Sequence, residues 1–279
     1  MEETREQIPP FPNLLQALIL LFILGGLMMS IGMLAMMFFY NPRTGASGGF
    51  SEKFGVIAAI GYLVPFFLVI LLGHLRQRSG LSRYFSRPNL PWKAWAGMAA
   101  GTLGLLLILE PLVSLIPIPE FFKTLFEQAF TQEPLVILLI VIAAPLFEEW
   151  LFRGILLNGF LRLYTPAKAI VWSAVLFGVI HLNPWQGLPA VVLGALFGWL
   201  TYRSGSILPA IALHALANGT GVLVYWFTGN ANAGFSDIIV NPFGYAALAI
   251  ALLAIGWWSG KFYLLENKET ETAKVFYGG

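Results

Sequence analysis

The sequence predicts an all-α protein, a polytopic transmembrane helical bundle of about eight spans with both termini cytoplasmic. Three observations predict it. The 279 residues are 58% hydrophobic and 11% charged, with a mean hydropathy of +0.76, whereas a soluble domain carries roughly 25% charged residues. The apolar residues fall in eight long blocks, and the basic residues gather between alternate blocks.

The blocks run over residues 13–39, 54–75, 92–116, 134–163, 168–182, 188–202, 206–228 and 243–265. A span needs about 20 apolar residues at about 1.5 Å rise each. The first block follows MEETREQIPPFPN, which is acidic and lacks a basic leader region, so no cleaved signal peptide is expected. The second follows the polar loop NPRTGASGGFSEK. The third carries Glu110 about 27 Å along its helix, near an interface, where a structural role is expected. PEFFKTLFEQAF at 119–130 has aromatics at helical spacing and reads as an interfacial helix or an amphipathic loop helix. The fourth block has charges in its second half and is expected to extend out of the bilayer. The fifth and sixth are short, as for helices tilted against neighbours or partly buried in protein. No repeat or linker breaks the chain, so 1–279 reads as a single membrane domain.

Charge placement sets the orientation. With Arg76, Arg78, Arg83, Arg87 and Lys93 placed in the cytoplasm, alternation puts Arg5, Arg162, Lys168, Arg203, Lys261, Lys268 and Lys274 on the same side. Arg43, Lys53 and Lys123 fall outside, together with Glu120, Glu127, Glu133 and Asp237.

The absence of cysteine excludes disulfides, zinc ribbons and thiol nucleophiles. An ionisable group in hydrocarbon costs roughly 2.5–3.5 kcal/mol on insertion scales, so those inside the spans carry information. Glu148 lies roughly 21 Å from the start of its block, His181 roughly 20 Å and His214 roughly 16 Å, by helical rise. Three helices thus bring polar groups to comparable depth. A lone membrane histidine is commonly a satisfied interhelical hydrogen bond, but that reading weakens for a matched set. Glu149 and Arg153 are spaced to pair on one helical face, and Glu148, about 100° round, points elsewhere. His214 and Asn218 share a face, as do Phe177 and His181.

Several hydrolytic chemistries find no support. An aspartyl site needs two aspartates, and the chain has one, Asp237. No HExxH helix is present. GASG at 45–48 imitates a rhomboid nucleophile motif, but Ser47 lies in a polar loop and reads as a turn. Carboxylate plus histidine remains.

Glu148-Glu149-Trp-Leu-Phe-Arg153, Phe177-Gly-Val-Ile-His181 and His214-Ala-Leu-Ala-Asn218 resemble, in order, the EExxxR, FxxxH and HxxxN motifs of the CPBP family of intramembrane proteases, which includes type II CAAX prenyl endopeptidases and bacteriocin-processing proteins. The resemblance covers residues 134–228, the expected catalytic core, and implies an intramembrane endopeptidase. It makes Glu148 the base that activates a water, helped by His181. His214 and Asn218 become oxyanion donors, and Glu149, Arg153 and Phe177 supporting residues. Glu148, His181 and His214 also form a possible zinc set with one open position; Asn218, suited to an oxyanion hole, favours the metal-free version. The expected partners are a membrane-associated protein or peptide substrate and the lipid bilayer, with no nucleic acid. The expected location is a membrane, crossed several times, and the cell membrane in a prokaryote. Two other readings compete: a non-catalytic immunity or scaffold protein of the same fold, and a proton-coupled transporter. The lack of a repeat disfavours the transporter.

Overall fold

The structure, a computed structural model, describes residues 10–39, 48–77, 84–120, 133–230 and 232–261. Each apolar block forms a helix. They are α1 (Leu14–Phe39), α2 (Gly48–Gln77), α3 (Trp92–Ser114), α4 (Pro134–Leu161), α5 (Pro166–Val179), α6 (Pro184–Ser204), α7 (Leu208–Thr228) and α8 (Pro242–Gly260). Five of them, α4 to α8, carry proline in the first turn, where its missing N–H costs nothing. Gly205 and Gly229, at φ 68° and 67°, close α6 and α7 in the left-handed conformation.

Among the described residues six helices, α1 to α4, α7 and α8, are long and apolar enough to cross a membrane. The chain is a multi-pass membrane protein. Large apolar side chains stay on its outside, including Phe22, Met29 and Trp257 at 83%, 70% and 72% exposure, as lipid contact requires. α5 is apolar but has 14 residues; with α6 it forms a hairpin.

Hydrogen bonds fix which helix ends lie together. Gln77, ending α2, donates to Phe11 O and Ile155 O. Ser86 Oγ donates to Gly205 O, Ile207 N to Tyr84 O and Ser259 Oγ to Lys93 O. Arg87, Lys93, Arg203 and Lys261 therefore belong to one end of the bundle. At the other end Glu110 binds the 3₁₀ turn Phe235–Asp237, and Trp185 Nε1 donates to Ile116 O. Asp237 thus lies at the opposite end of the bundle from Lys93, Arg203 and Lys261.

α3 and α8 pack through glycines. A Cβ on Gly256 would stand 2.5 Å from Gly101 Cα, a backbone approach that no side chain permits and a common membrane device. α4 runs through the main core, packed among α1, α2 and α5.

Three expectations need correction or delimiting. Among the described residues the second half of α4 is the most enclosed: Leu151 to Phe160 are all buried. Its charges are paired within protein, so the helix is long without needing to leave the bilayer. α5 stops at Val179, and His181 lies in the turn before α6 rather than on a helix. Pro184 disfavours helix at the residue before it, Asn183 instead caps α6 by accepting Gln186 N, and Leu182 turns the chain at φ 56°. Ser47, residues 121–130, and Arg5, Arg43, Arg78, Arg83, Lys123, Glu127, Lys268 and Lys274 lie outside the described residues.

Candidate active site

α4 is not a uniform α-helix. Leu139–Ala143 and Trp150–Leu157 are π-helical, flanking the α-helical turn Ala144–Glu149. Such widened turns are frequent at functional sites, and here they bracket the two adjacent glutamates.

Glu149 points into the protein. Its Oε1 lies 2.9 Å from Arg153 Nη1, both side chains wholly buried. The guanidinium also donates from Nη2 to Gly194 O at 2.9 Å and lies 4.5 Å from the centre of the Phe177 ring, a cation–π contact. Gly194 allows this approach, since a Cβ there would stand 3.1 Å from Nη2. The same Glu149 Oε1 lies 2.9 Å from His214 Nδ1. Paired with Arg153, the carboxylate is an acceptor, so Nδ1 carries a proton and Nε2 is the atom that His214 presents beyond it. Phe197, stacked at 5.8 Å, and Phe177, edge-on at 5.6 Å, hold the imidazole.

Glu148 points the other way. Its Oε2 lies 3.7 Å from His214 Nε2, and its Oε1 accepts a hydrogen bond from the Tyr62 hydroxyl on α2. Glu148, His181, His214 and Asn218 all line one cavity of about 480 Å³, with Phe177 and Phe197 in its wall. His181 Nδ1 lies 2.8 Å from Phe177 O, and its ring meets the Phe177 ring edge-on at 5.2 Å. Asn218 Nδ2 donates to Ile140 O at 2.9 Å, a carbonyl of the first π-helical stretch.

All seven residues singled out in the sequence therefore meet around this cavity or in the buried cluster behind it. The sequence reading paired Glu148 with His181; the structure gives it Tyr62 and His214 as neighbours. Tyr62 was missed. Its signal was a tyrosine in mid-span, away from the interfacial belts where tyrosine concentrates, with a hydroxyl that needs a partner. Glu110 is a separate site: its oxygens accept from Phe235 N, Ser236 N and Ser236 Oγ at 2.7, 3.0 and 2.6 Å, the structural role expected.

Among the described residues no three His, Asp or Glu side chains are grouped so as to hold a metal ion. The zinc set of Glu148, His181 and His214 does not fit this geometry.

Residues 130–220 match the family model described as type II CAAX prenyl endopeptidase Rce1-like. Over that stretch the chain is similar to the Rce1-like family. The family is one of intramembrane proteases. A protein of Escherichia coli described as "Uncharacterized 24.3 kDa protein" is 34% identical over 142 residues, covering 48% of this chain and 64% of that protein. The match thus spans less than two thirds of that relative. No solved structure matches the chain. The Rce1-like region holds Glu148, Glu149, Arg153, Phe177, His181, His214 and Asn218, but not Tyr62.

Proposed function

We propose that this protein is an intramembrane endopeptidase that hydrolyses a peptide bond of a membrane-associated protein or peptide with a water activated by Glu148. The observation that carries the reading is the cavity in which Glu148, His181, His214 and Asn218 converge from three parts of the chain, backed by a buried Arg153–Glu149–His214 relay. Residues 1–279 act as a single membrane domain with its catalytic core at 134–228 and both termini in the cytoplasm.

The chemistry follows from the atoms. A water between Glu148 Oε2 and His214 Nε2 loses a proton to the carboxylate as its oxygen adds to the substrate carbonyl. His181, on the same cavity, helps hold that water. The negative charge that develops on the carbonyl oxygen is met by donors from Asn218 and, when its Nε2 is protonated, His214. Glu148 then returns its proton to the leaving amide nitrogen, and the tetrahedral adduct collapses to carboxylic acid and amine. Glu149 and Arg153 orient His214, as a buried carboxylate orients the histidine of a catalytic triad.

The Rce1-like resemblance supports two substrate classes to test: CAAX-type peptides with a lipid-modified cysteine, and peptides processed in the membrane. Reconstitution of the full chain in proteoliposomes with internally quenched CAAX peptides, with and without an S-farnesyl group, tests the reading. Glu148→Ala is expected to abolish cleavage without lowering the melting temperature. Unchanged turnover would refute the enzyme, and a cellular phenotype fully rescued by Glu148→Ala would point to a scaffold or immunity role.

A further inference from the structure

We propose that Tyr62 is a positioning residue for Glu148: its hydroxyl holds Oε1 of the carboxylate and so presents Oε2 to His214 and the cavity. The inference rests on the reading of Glu148 as the base. It adds a residue from α2, outside the Rce1-like region, to a site otherwise built from α4 to α7.

Several features make Tyr62 a rigid hold. Its ring stacks on Phe66 with centroids 4.7 Å apart and planes 25° from parallel. Phe66 is itself buried at 2% exposure, in the core cluster with Val69 and Ile70. The direction of the phenol is therefore set by α2 packing against α4. Glu148 has a long side chain with several rotatable bonds, and an unheld carboxylate facing a cavity samples many of them. A misplacement of about 1 Å at a reacting group costs on the order of a hundredfold in rate. One hydroxyl donates one proton, so it anchors Oε1 and leaves Oε2 free to receive a proton from water. Tyr62 is not among the residues lining the cavity, so it acts through Glu148 and not on substrate.

That placement predicts a division between kinetic constants. Tyr62→Phe keeps the stacked ring and removes the hydroxyl alone. With S-farnesylated quenched CAAX peptide in proteoliposomes, kcat is expected to fall about 10- to 100-fold, as for loss of a hydrogen bond to a carboxylate. KM should stay within about twofold, because no substrate contact is removed. A second measurement needs no turnover. The ¹⁹F resonance of 3-fluorotyrosine placed at position 62 of the otherwise intact chain is expected to move when Glu148→Gln is introduced.

The outcomes separate this inference from the one beneath it. Tyr62→Phe with wild-type kcat, alongside an inactive Glu148→Ala, overturns the positioning role and leaves Glu148 as base. Active Glu148→Ala overturns both. A fall confined to KM assigns Tyr62 to substrate binding and overturns the proposal. A ¹⁹F resonance indifferent to Glu148→Gln overturns it whatever the peptides do, including where Tyr62→Phe fails to fold.

Discussion

Glu110 and Glu148 each sit on a membrane helix with a tyrosine hydroxyl against one carboxylate oxygen, Tyr245 in the first case and Tyr62 in the second. At Glu110 two backbone N–H groups and a serine hydroxyl of the α7–α8 connection join the tyrosine. Both oxygens are occupied, and the carboxylate ties a loop to the end of α3. At Glu148, among the described residues, a single donor holds one oxygen, and the other looks across 3.7 Å to a histidine nitrogen at the edge of a cavity. A carboxylate saturated by fixed donors has nothing left to offer a substrate. One held by a single oxygen is both placed and available. On the proposed reading, what distinguishes a structural acid from a reactive one here is the number of donors and the presence of space, not the residue type or its membrane setting.

The largest test of that contrast is the same substitution at both positions. Glu148→Gln is expected to lower peptide cleavage by about 10²- to 10⁴-fold, the range for loss of a general base, with the melting temperature little changed. Glu110→Gln should leave turnover per folded molecule at the wild-type level. Rates normalised to the folded fraction in proteoliposomes decide it, and equal losses at the two sites would erase the distinction.

Behind Glu148 the contrast sharpens further, because Arg153 and Glu149 are wholly buried. Arg153→Met keeps much of the volume but strands Glu149 and its histidine partner. Breaking a buried pair from one side costs about 3–5 kcal/mol, so the variant should unfold at much lower temperature or denaturant in detergent, and be found at low yield. The loss should exceed that at Glu110, whose ligands lie at the exposed end of the bundle. A variant of wild-type stability would mean that the cluster is not what locks α4 to α6 and α7.

Much of this was legible in the chain, for a physical reason. Hydrophobic blocks report directly on helices in a membrane protein, since only regular structure satisfies the backbone there, and all eight blocks became helices. The pairing of Glu149 with Arg153, and the divergence of Glu148 from it, followed from helical geometry. Less legible were features that depend on partners distant in sequence. The π-helical turns of α4 leave no mark in hydropathy. His181 was put on a helix because its block stays apolar to residue 182, whereas Asn183 and Pro184 had already set up a new helix. Tyr62 became meaningful only when α2 was laid against α4. The charges of α4 suggested exposure, and only the fold showed them buried among their own partners.

A smaller effect is expected from Glu110→Gln on stability. The amide keeps the shape but loses the charge that strengthens its accepted bonds. A loss of about 1.5–3 kcal/mol is expected, the range for hydrogen bonds to charged groups, read as a lower unfolding midpoint at unchanged cleavage rate.

The smallest effect is the one that best isolates the two tyrosines. Tyr245 Oη lies 2.7 Å from Leu107 O and 3.2 Å from Glu110 Oε2, and a single hydroxyl proton serves chiefly the nearer acceptor. Tyr245→Phe thus removes one neutral hydrogen bond, and Glu110 keeps its three shorter donors. A loss of about 1 kcal/mol in unfolding free energy is expected, with cleavage at the wild-type rate. The same ring-preserving change at Tyr62 removes the donor that holds a carboxylate at the cavity edge and should act on rate before stability. If Tyr245→Phe slowed cleavage as much as Tyr62→Phe, at matched folded fraction, both hydroxyls would be acting through the rigidity of the bundle. Glu148 would then owe its placement to packing alone.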